Sequence, residues 1–279
     1  MDRGHRPSPP RNPRAPHPPM TRSPPPDWNP EQYGRFHAER ARPFFDLLDL
    51  VQPRPDMRVV DLGCGTGELT RVMHERLAAR ETLGIDASPA MLAKSAAFAG
   101  DGLRFEPGDI AAFSADGAYD LVFSNAAIQW VSDHEPLFAR LAAALTPTGQ
   151  LAVQMPANND HPSHLTAFAV AAEPTFRDAL GGYARQWPVL APDAYATLLH
   201  RLGFARQHVR LQVYGHELAS REAVIEWVRG SLLTDYEKRL PAELWPEFLD
   251  RYRECLLPQL DDTRPFFYPF KRVLLWAAR

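Results

Sequence analysis

From residue 57 onward, short apolar runs alternate with longer stretches whose apolar residues recur at helical spacing, which is how a chain encodes βα units over a parallel sheet. MRVVDL (57–62) reads as a buried strand running into a glycine-rich turn. In GELTRVMHERLAAR (67–80), Leu69, Val72, Met73 and Leu77 form an apolar stripe and predict a helix. ETLGID (81–86) predicts a second strand. SPAMLAKSAAF (88–98) follows as a helix that Ser88 can cap and whose first position suits Pro89. LRFEPGDI (103–110) and AYDLVFSN (118–125) supply two more strands, EPLFARLAAAL (135–145) a helix, and TPTGQLAVQMP (146–156) a turn leading into a fifth strand.

Beyond this the periodicity is helical to about residue 202, strand-like over RQHVRLQVYGHEL (206–218) and helical again through 220–260. FKRVLLWAA (270–278) closes the chain as an apolar strand. Two late strands around a helical insertion predict an antiparallel edge hairpin that completes the sheet. The fold class expected is therefore α/β.

Composition narrows the function classes. A chain of 279 residues with 45% hydrophobic content can bury a sizeable core. No apolar run approaches the roughly 20 residues of a membrane span, and the N-terminus carries charges and prolines in place of an apolar signal region. Cys64 and Cys255 form no C-x-x-C pair, which fits a reducing, cytoplasmic setting. Residues 1–26 hold five Arg, one Asp and ten of the 28 prolines. So apolar-poor a tail cannot offset its ordering entropy by burial and is expected to be disordered; either Met1 or Met20 serves as the translation start. Outside it stand 26 basic and 33 acidic residues, which argues against a nucleic-acid partner.

The motif with chemical content is DLGCGTG (61–67). Gly63, Gly65 and Gly67 let the backbone turn tightly and approach a ligand closely. Glu68 stands where the dinucleotide fingerprint would need its third glycine, and a carboxylate there disfavours a pyrophosphate. Together with Asp61 at the strand end, it makes an acidic rim that suits a cationic ligand. S-adenosylmethionine carries both a sulfonium and an α-amino group. Asp86 closes the second strand where doubly wound folds place a carboxylate on ribose hydroxyls, with Ala87 and Met91 just beyond it. After the third strand, Asp109 is placed to accept from an adenine amine while Ile110 packs on the ring. Asn125 and Trp130, expected to contact the cofactor, lie with Gln129 where the crevice opens at the end of the fourth strand. His161 and His164 sit three apart without an accompanying Cys or carboxylate cluster, so no metal is expected. Ser124 and Ser163 lack a nucleophile elbow.

D-x-G-x-G-x-G, Asp86, GDI and YDLVFSN together resemble the class I S-adenosylmethionine-dependent methyltransferases over about residues 55–155. The resemblance implies a Rossmann-like seven-stranded sheet whose last strand is antiparallel. DWNPEQYGRFHAERARP (27–43), SNAAIQWVSDH (124–134), LAVQMPAN (151–158), DAYATLLHRLGF (193–204), AVIEWVRGS (223–231) and FLDRY (248–252) narrow it further. With these the chain, from Asp27 to Arg279, is similar to the trans-aconitate 2-methyltransferase family. That likeness implies methyl ester formation on a small unsaturated tricarboxylate. It also implies a domain at 27–279, with a lid helix at 27–50, a cofactor-binding core at 55–156 and a helical acceptor-binding cap in 157–279. By it, Trp28, Tyr33 and Phe36 form part of the lid, with cofactor contact as the alternative for Trp28 and Tyr33, while Arg40, Arg42, Gln129, Tyr195, Trp227 and Arg272 are candidates for the acceptor pocket. Residues 233–235 depart from the family's enterobacterial form: Thr234 replaces an Arg, and Asp235 is expected to repel a carboxylate.

Methyl transfer from a sulfonium needs alignment and exclusion of water more than proton transfer. A carboxylate acceptor is already nucleophilic, so no catalytic base is expected; Arg forks and Tyr or Trp donors would hold it. Other small acids, a carrier-bound malonyl group, and a non-catalytic ligand-binding role are the alternatives. Oligomeric state is not encoded legibly, and a monomer is compatible.

Overall fold

The computed structural model describes residues 35–279, with side chains from residue 41 onward. The expected disordered tail, Trp28 and Tyr33 lie outside the described residues, as do the side chains of Phe36 and Arg40. The sheet lies within the compact unit formed by residues 39–279.

Seven strands form one sheet in the order β3-β2-β1-β4-β5-β7-β6. β1 (Arg58–Leu62), β2 (Glu81–Asp86), β3 (Leu103–Pro107), β4 (Tyr119–Asn125) and β5 (Leu145–Pro156) are parallel, and their ladders run β1 to β2, β1 to β4, β2 to β3 and β4 to β5. β7 (Phe266–Ala278) runs antiparallel between β5 and the edge strand β6 (Arg206–Leu218). The expected closing hairpin is present, its two strands joined through the helical insertion.

Local chemistry sets the element ends. α2 spans Glu68–Leu77, three residues short of the apolar stripe's reading, because Ala78 turns into the left-handed region at φ 46° and caps it. α3 (Pro89–Ser95) begins at the Ser88 cap, whose side chain accepts from the Met91 amide. α4 covers His134–Ala143, so Leu145 opens β5 instead of closing the helix. The turn expected at 146–149 is a bulge inside that strand, where the register against β4 shifts between Tyr119 and Leu121. β7 starts at Phe266, ahead of the expected residue 270.

Hydrophobic clusters cover both sheet faces. On one, α4 and α7 (Pro192–Arg201) bring Leu137, Phe138, Leu141 and Leu198 onto Val122, Leu151 and Val153. On the other, α1 (Arg35–Leu48) and α2 bring Phe44, Leu47 and Met73 onto Phe123, Leu274 and Trp276. Phe44 and Leu47 are essentially solvent-free, each burial stabilising by roughly 1.5–3 kcal/mol. The last turns of α1 are thus a core element and not a lid. A further cluster fills the helical cap, where α5 (Pro162–Ala171), α6 (Pro174–Ala179), α8 (Ala223–Arg229), α9 (Thr234–Arg239) and α10 (Trp245–Leu256) pack around Phe176, Val228, Phe248 and Tyr252.

Candidate active site

The glycine turn joins β1 to α2 at the carboxyl end of the sheet. Gly63 and Cys64 donate their amides to the Ile85 carbonyl (2.8 and 3.0 Å), which ties the turn to β2. All three glycines have positive φ, at 83°, 58° and 78° for Gly63, Gly65 and Gly67. Their surroundings differ: a Cβ on Gly67 would lie 2.6 Å from the Phe105 ring, whereas one on Gly65 would meet nothing within 4 Å. Gly65 therefore borders open space. Its amide donates to Asp86 Oδ2 (2.9 Å), and the Ser88 amide donates to Oδ1 (2.8 Å), so one carboxylate fixes two loops while keeping lone pairs for a ligand.

Asp61 lies buried beneath this turn and accepts from Thr70 Oγ1 at 2.6 Å. Burial pushes its carboxyl up to about 7; the Thr70 hydrogen bond works against this and the neighbouring Asp86 charge adds to it. Burial likewise pushes the Cys64 thiol up to about 12, with the Asp61 and Asp86 charges adding, so it stays protonated and unreactive. After β3, Asp109 accepts from the Ala111 amide (2.8 Å) and caps a 3-10 turn that begins at Ile110. Met91 is exposed, as is Ala87. An open glycine cradle, carboxylates at three successive strand ends and apolar surface at Met91 and Ile110 fit a cationic nucleoside such as S-adenosylmethionine.

Next to this turn lies a cleft of about 400 Å³. Asn125, Gln129 and Trp130 form one wall, from β4 and the 3-10 turn Ile128–Trp130. Trp227 of α8 and Arg272 of β7 form another. Arg272 donates to Gln154 Oε1 (3.0 Å), stacks 4.9 Å from the Phe270 ring centroid, and holds its Nε buried without a protein partner. Burial lowers its guanidinium to about 10, which leaves it cationic at neutral pH. Trp227 packs 4.5 Å from the His216 ring and 5.9 Å from Tyr268.

Two of the expected acceptor residues are not in the cleft. Tyr195 is fully buried between α7 and the sheet. Its hydroxyl bonds His134 Nδ1 (2.5 Å) and accepts from the Leu190 amide (3.2 Å), a core network that no ligand reaches. Arg42 has a side chain 72% exposed, 4.0 Å from Asp46 on its own helix and 5.9 Å from the Tyr214 ring centroid. It is a solvated helix cation.

Several cleft residues, Arg185, Trp187 and His164 among them, went unassigned in the sequence. Arg185, with a side chain 8% exposed, donates to the Leu232 carbonyl (3.3 Å), lies 3.8 Å from Asp235 and stacks 4.9 Å from the Trp130 ring centroid. The signal was GYARQWP, an Arg between aromatic residues in an aperiodic segment. Trp187 presents a buried Nε1 without a partner. His164 faces the cleft beside Trp187 (5.7 Å), and burial depresses it to about 3, so it is neutral. Its neighbour His161 caps α5 through the Ser163 amide (3.1 Å). Asp235, expected to repel a carboxylate, accepts from the Tyr183 hydroxyl and from Arg239 Nε (2.9 Å) and lies 3.8 Å from Arg185, so two guanidinium groups offset its charge.

The doubly wound sheet with its antiparallel seventh strand, the glycine cradle and the acidic strand ends define an S-adenosylmethionine-dependent methyltransferase. Residues 59–149 match a methyltransferase domain family. The chain is similar to the trans-aconitate 2-methyltransferase of Deinococcus radiodurans, 45% identical over 258 residues that cover 90% of this chain and 98% of that one. The Variovorax paradoxus and Escherichia coli enzymes of the same name are 42% and 36% identical, covering 89% and 91% of this chain and 94% and 98% of theirs. The chain belongs to the trans-aconitate 2-methyltransferase family. Membership in an enzyme family sets aside the non-catalytic alternative. Solved structures share the fold: the YcgJ protein of Bacillus subtilis has a TM-score of 0.57 at 16% identity, covering 85% of this chain and 98% of that one. Geranyl diphosphate C-methyltransferase of Streptomyces coelicolor has a TM-score of 0.52 at 20% identity, covering 88% and 80%. Among the described residues no helix is long and apolar enough to cross a membrane.

Proposed function

We propose that this methyltransferase esterifies one carboxylate of a small polycarboxylic acid, trans-aconitate being the acceptor named for its relatives. The observation that carries this reading is a cleft with two cations, Arg272 and the largely buried Arg185, in which the buried donors Arg272 Nε and Trp187 Nε1 lack protein partners, with Gln129 Oε1 an unpartnered acceptor beside them. Buried donors without acceptors are costly. A carboxylate, which only accepts, satisfies them; an amine or hydroxyl acceptor would bring further donors and a proton to dispose of.

Bound S-adenosylmethionine supplies an electrophilic methyl group and a neutral thioether leaving group. The chain's own work is placement. Asp86, Ala87 and Met91 would face the nucleoside, Asp109 and Ile110 the base, and the Gly65 edge and Asp61 the charged end. Arg272, Trp227, Gln129 and Asn125 would hold the acid in line, with Arg40 on the family's pattern as a further cation. No proton leaves a carboxylate at neutral pH, so the neutral His164 is not required as a base. The products are a methyl ester and S-adenosylhomocysteine. Residues 27–279 would act as one methyltransferase domain, in the cytoplasm where polycarboxylates are metabolised.

A mass-spectrometric screen of di- and tricarboxylates with S-adenosylmethionine tests the reading. A gain of one methyl group on trans-aconitate is expected; no turnover across the panel would sink it.

A further inference from the structure

Gln154 never touches the cleft. It is fully buried in β5, yet it connects two residues that do line the cleft. Asn125, the last residue of β4, pairs in register with Gln154, and Arg272 pairs with Pro156 two residues further along β5. The three side chains therefore share one sheet face, Arg272 lying diagonal to Gln154.

Chemistry fixes the polarity of this row. A guanidinium has only donors, so Arg272 Nη1 dictates that the Gln154 amide turns its oxygen toward it, at 3.0 Å. Gln154 Nε2 is then left to donate to Asn125 Oδ1 at 2.6 Å. With its oxygen engaged by Gln154, Asn125 has its two N–H donors left to offer the cleft. Arg272 contributes its unpartnered Nε alongside. Gln129, which also lines the cleft, is oriented the other way: its Nε2 donates to the Ala126 carbonyl (2.7 Å) and its buried oxygen has no protein partner. Asn125 and Arg272 thus offer donors, while Gln129, on the same wall as Asn125, offers an acceptor.

We propose that Gln154 is a positioning residue for the acceptor: it passes the donor-only character of Arg272 to Asn125, so that β4 and β7 present a continuous row of N–H groups to one carboxylate of the substrate. This rests on the carboxylate-acceptor reading above. It explains why a glutamine, with one donor and one acceptor, occupies a solvent-free strand position among apolar neighbours. An apolar residue there would leave Arg272 Nη1 unpaired and Asn125 free to rotate its oxygen into the cleft.

Two variants separate positioning from support. Gln154→Glu keeps an ionised partner for Arg272 but presents a second acceptor to Asn125, which must turn its amide around and point oxygen at the acceptor. Gln154→Met removes both hydrogen bonds without imposing either orientation. The expected result is a KM for trans-aconitate raised about tenfold or more by Gln154→Glu and about threefold by Gln154→Met, each lost hydrogen-bond preference being a factor of that order. The dissociation constant for S-adenosylmethionine, read by calorimetry, should move less than about twofold in both. A merely structural role predicts the opposite order, since Gln154→Glu preserves the buried pairing and Gln154→Met does not.

Gln154→Glu also neutralises Arg272, and a double-mutant cycle with Asn125→Ala isolates that contribution. If orientation of Asn125 is the cause, most of the Gln154→Glu effect on KM disappears in the Asn125→Ala background. An undiminished effect there overturns the relay, as does a milder Gln154→Glu than Gln154→Met. Should Gln154→Met fail to fold, the cycle alone decides. Wild-type turnover of trans-aconitate is the control: its absence overturns the acceptor reading and the relay together, whereas normal turnover with additive variants overturns the relay alone.

Discussion

A Cβ placed on Gly63 would lie 2.1 Å from the Ala127 Cβ, so the glycine turn after β1 and the 3-10 turn after β4 are packed backbone to side chain. Because Ala127 leads directly into Gln129 and Trp130, that contact couples the glycine cradle to the cleft. Gly63→Ala should displace the 127–130 segment and also strain a φ of +83°. A loss of roughly 2 kcal/mol or more of stability and near-complete loss of turnover are expected. Gly65→Ala has room for its Cβ, so only the left-handed backbone cost of about 1–2 kcal/mol applies. Its Cβ enters the cradle, and cofactor affinity should fall about tenfold or more. Thermal melts paired with calorimetric titration distinguish the two.

Asp61 makes stability and cofactor binding depend on pH in opposite senses. In the ligand-free protein burial chiefly pushes its carboxyl up to about 7, against 3.8 for an ordinary aspartate. Between those values the folded state holds a proton that the unfolded chain has released, so stability falls as pH rises from about 4 to about 7 and levels off above. Asp61→Asn keeps the Thr70 hydrogen bond and removes this slope. It should match the wild type near pH 4 and exceed it by on the order of a few kcal/mol at pH 8. A sulfonium or ammonium nearby favours the ionised carboxylate, so wild-type affinity for S-adenosylmethionine should rise as pH passes through about 7. In Asp61→Asn that rise should vanish and binding weaken. Melting curves and titrations across pH check both halves.

The βα half of the fold was legible because buried parallel strands are short apolar runs bounded by turn residues, as ETLGID shows, with both its ends matching β2. The start of β7 was not. Pro269 and the aromatic residues of 266–268 carry no alternation that marks pairing with β6. At the site, glycines and carboxylates at strand ends announce themselves by type and spacing, so the cradle could be read directly. Arg185 and Trp187 could not, since they lie in the aperiodic segment between α6 and α7 and reach the cleft only by tertiary folding. Tyr195 and Arg42 show the converse error. An aromatic residue in a buried helix and a cation on a solvated one look, in one dimension, like pocket walls.

Tyr195→Phe separates those two views of Tyr195. Removing the hydroxyl leaves His134 Nδ1 and the Leu190 amide without their partner inside the core. A destabilisation of about 1–3 kcal/mol is expected. Since Tyr195 lies outside the cleft, KM for trans-aconitate should stay unchanged at temperatures well below the melting transition. A raised KM with an unchanged melting temperature would return Tyr195 to the acceptor pocket.

Arg185 is held from three sides, by Asp235, the Leu232 carbonyl and the Trp130 ring, so its guanidinium plane is fixed before any acceptor arrives. Arg185→Lys keeps the charge but loses the planar stack and the fork. Arg185→Met keeps the bulk and loses the charge. If Arg185 binds a carboxylate that is not the one methylated, both variants raise KM for a tricarboxylate, Met by about a hundredfold and Lys by about tenfold, with kcat changed little. A monocarboxylate acceptor has no second charge for Arg185 to hold, so its weaker kcat/KM should respond far less. The preference for polyacids over monoacids would then narrow in the order wild type, Lys, Met. Equal losses for mono- and tricarboxylates would instead mean that Arg185 holds the reacting carboxylate itself.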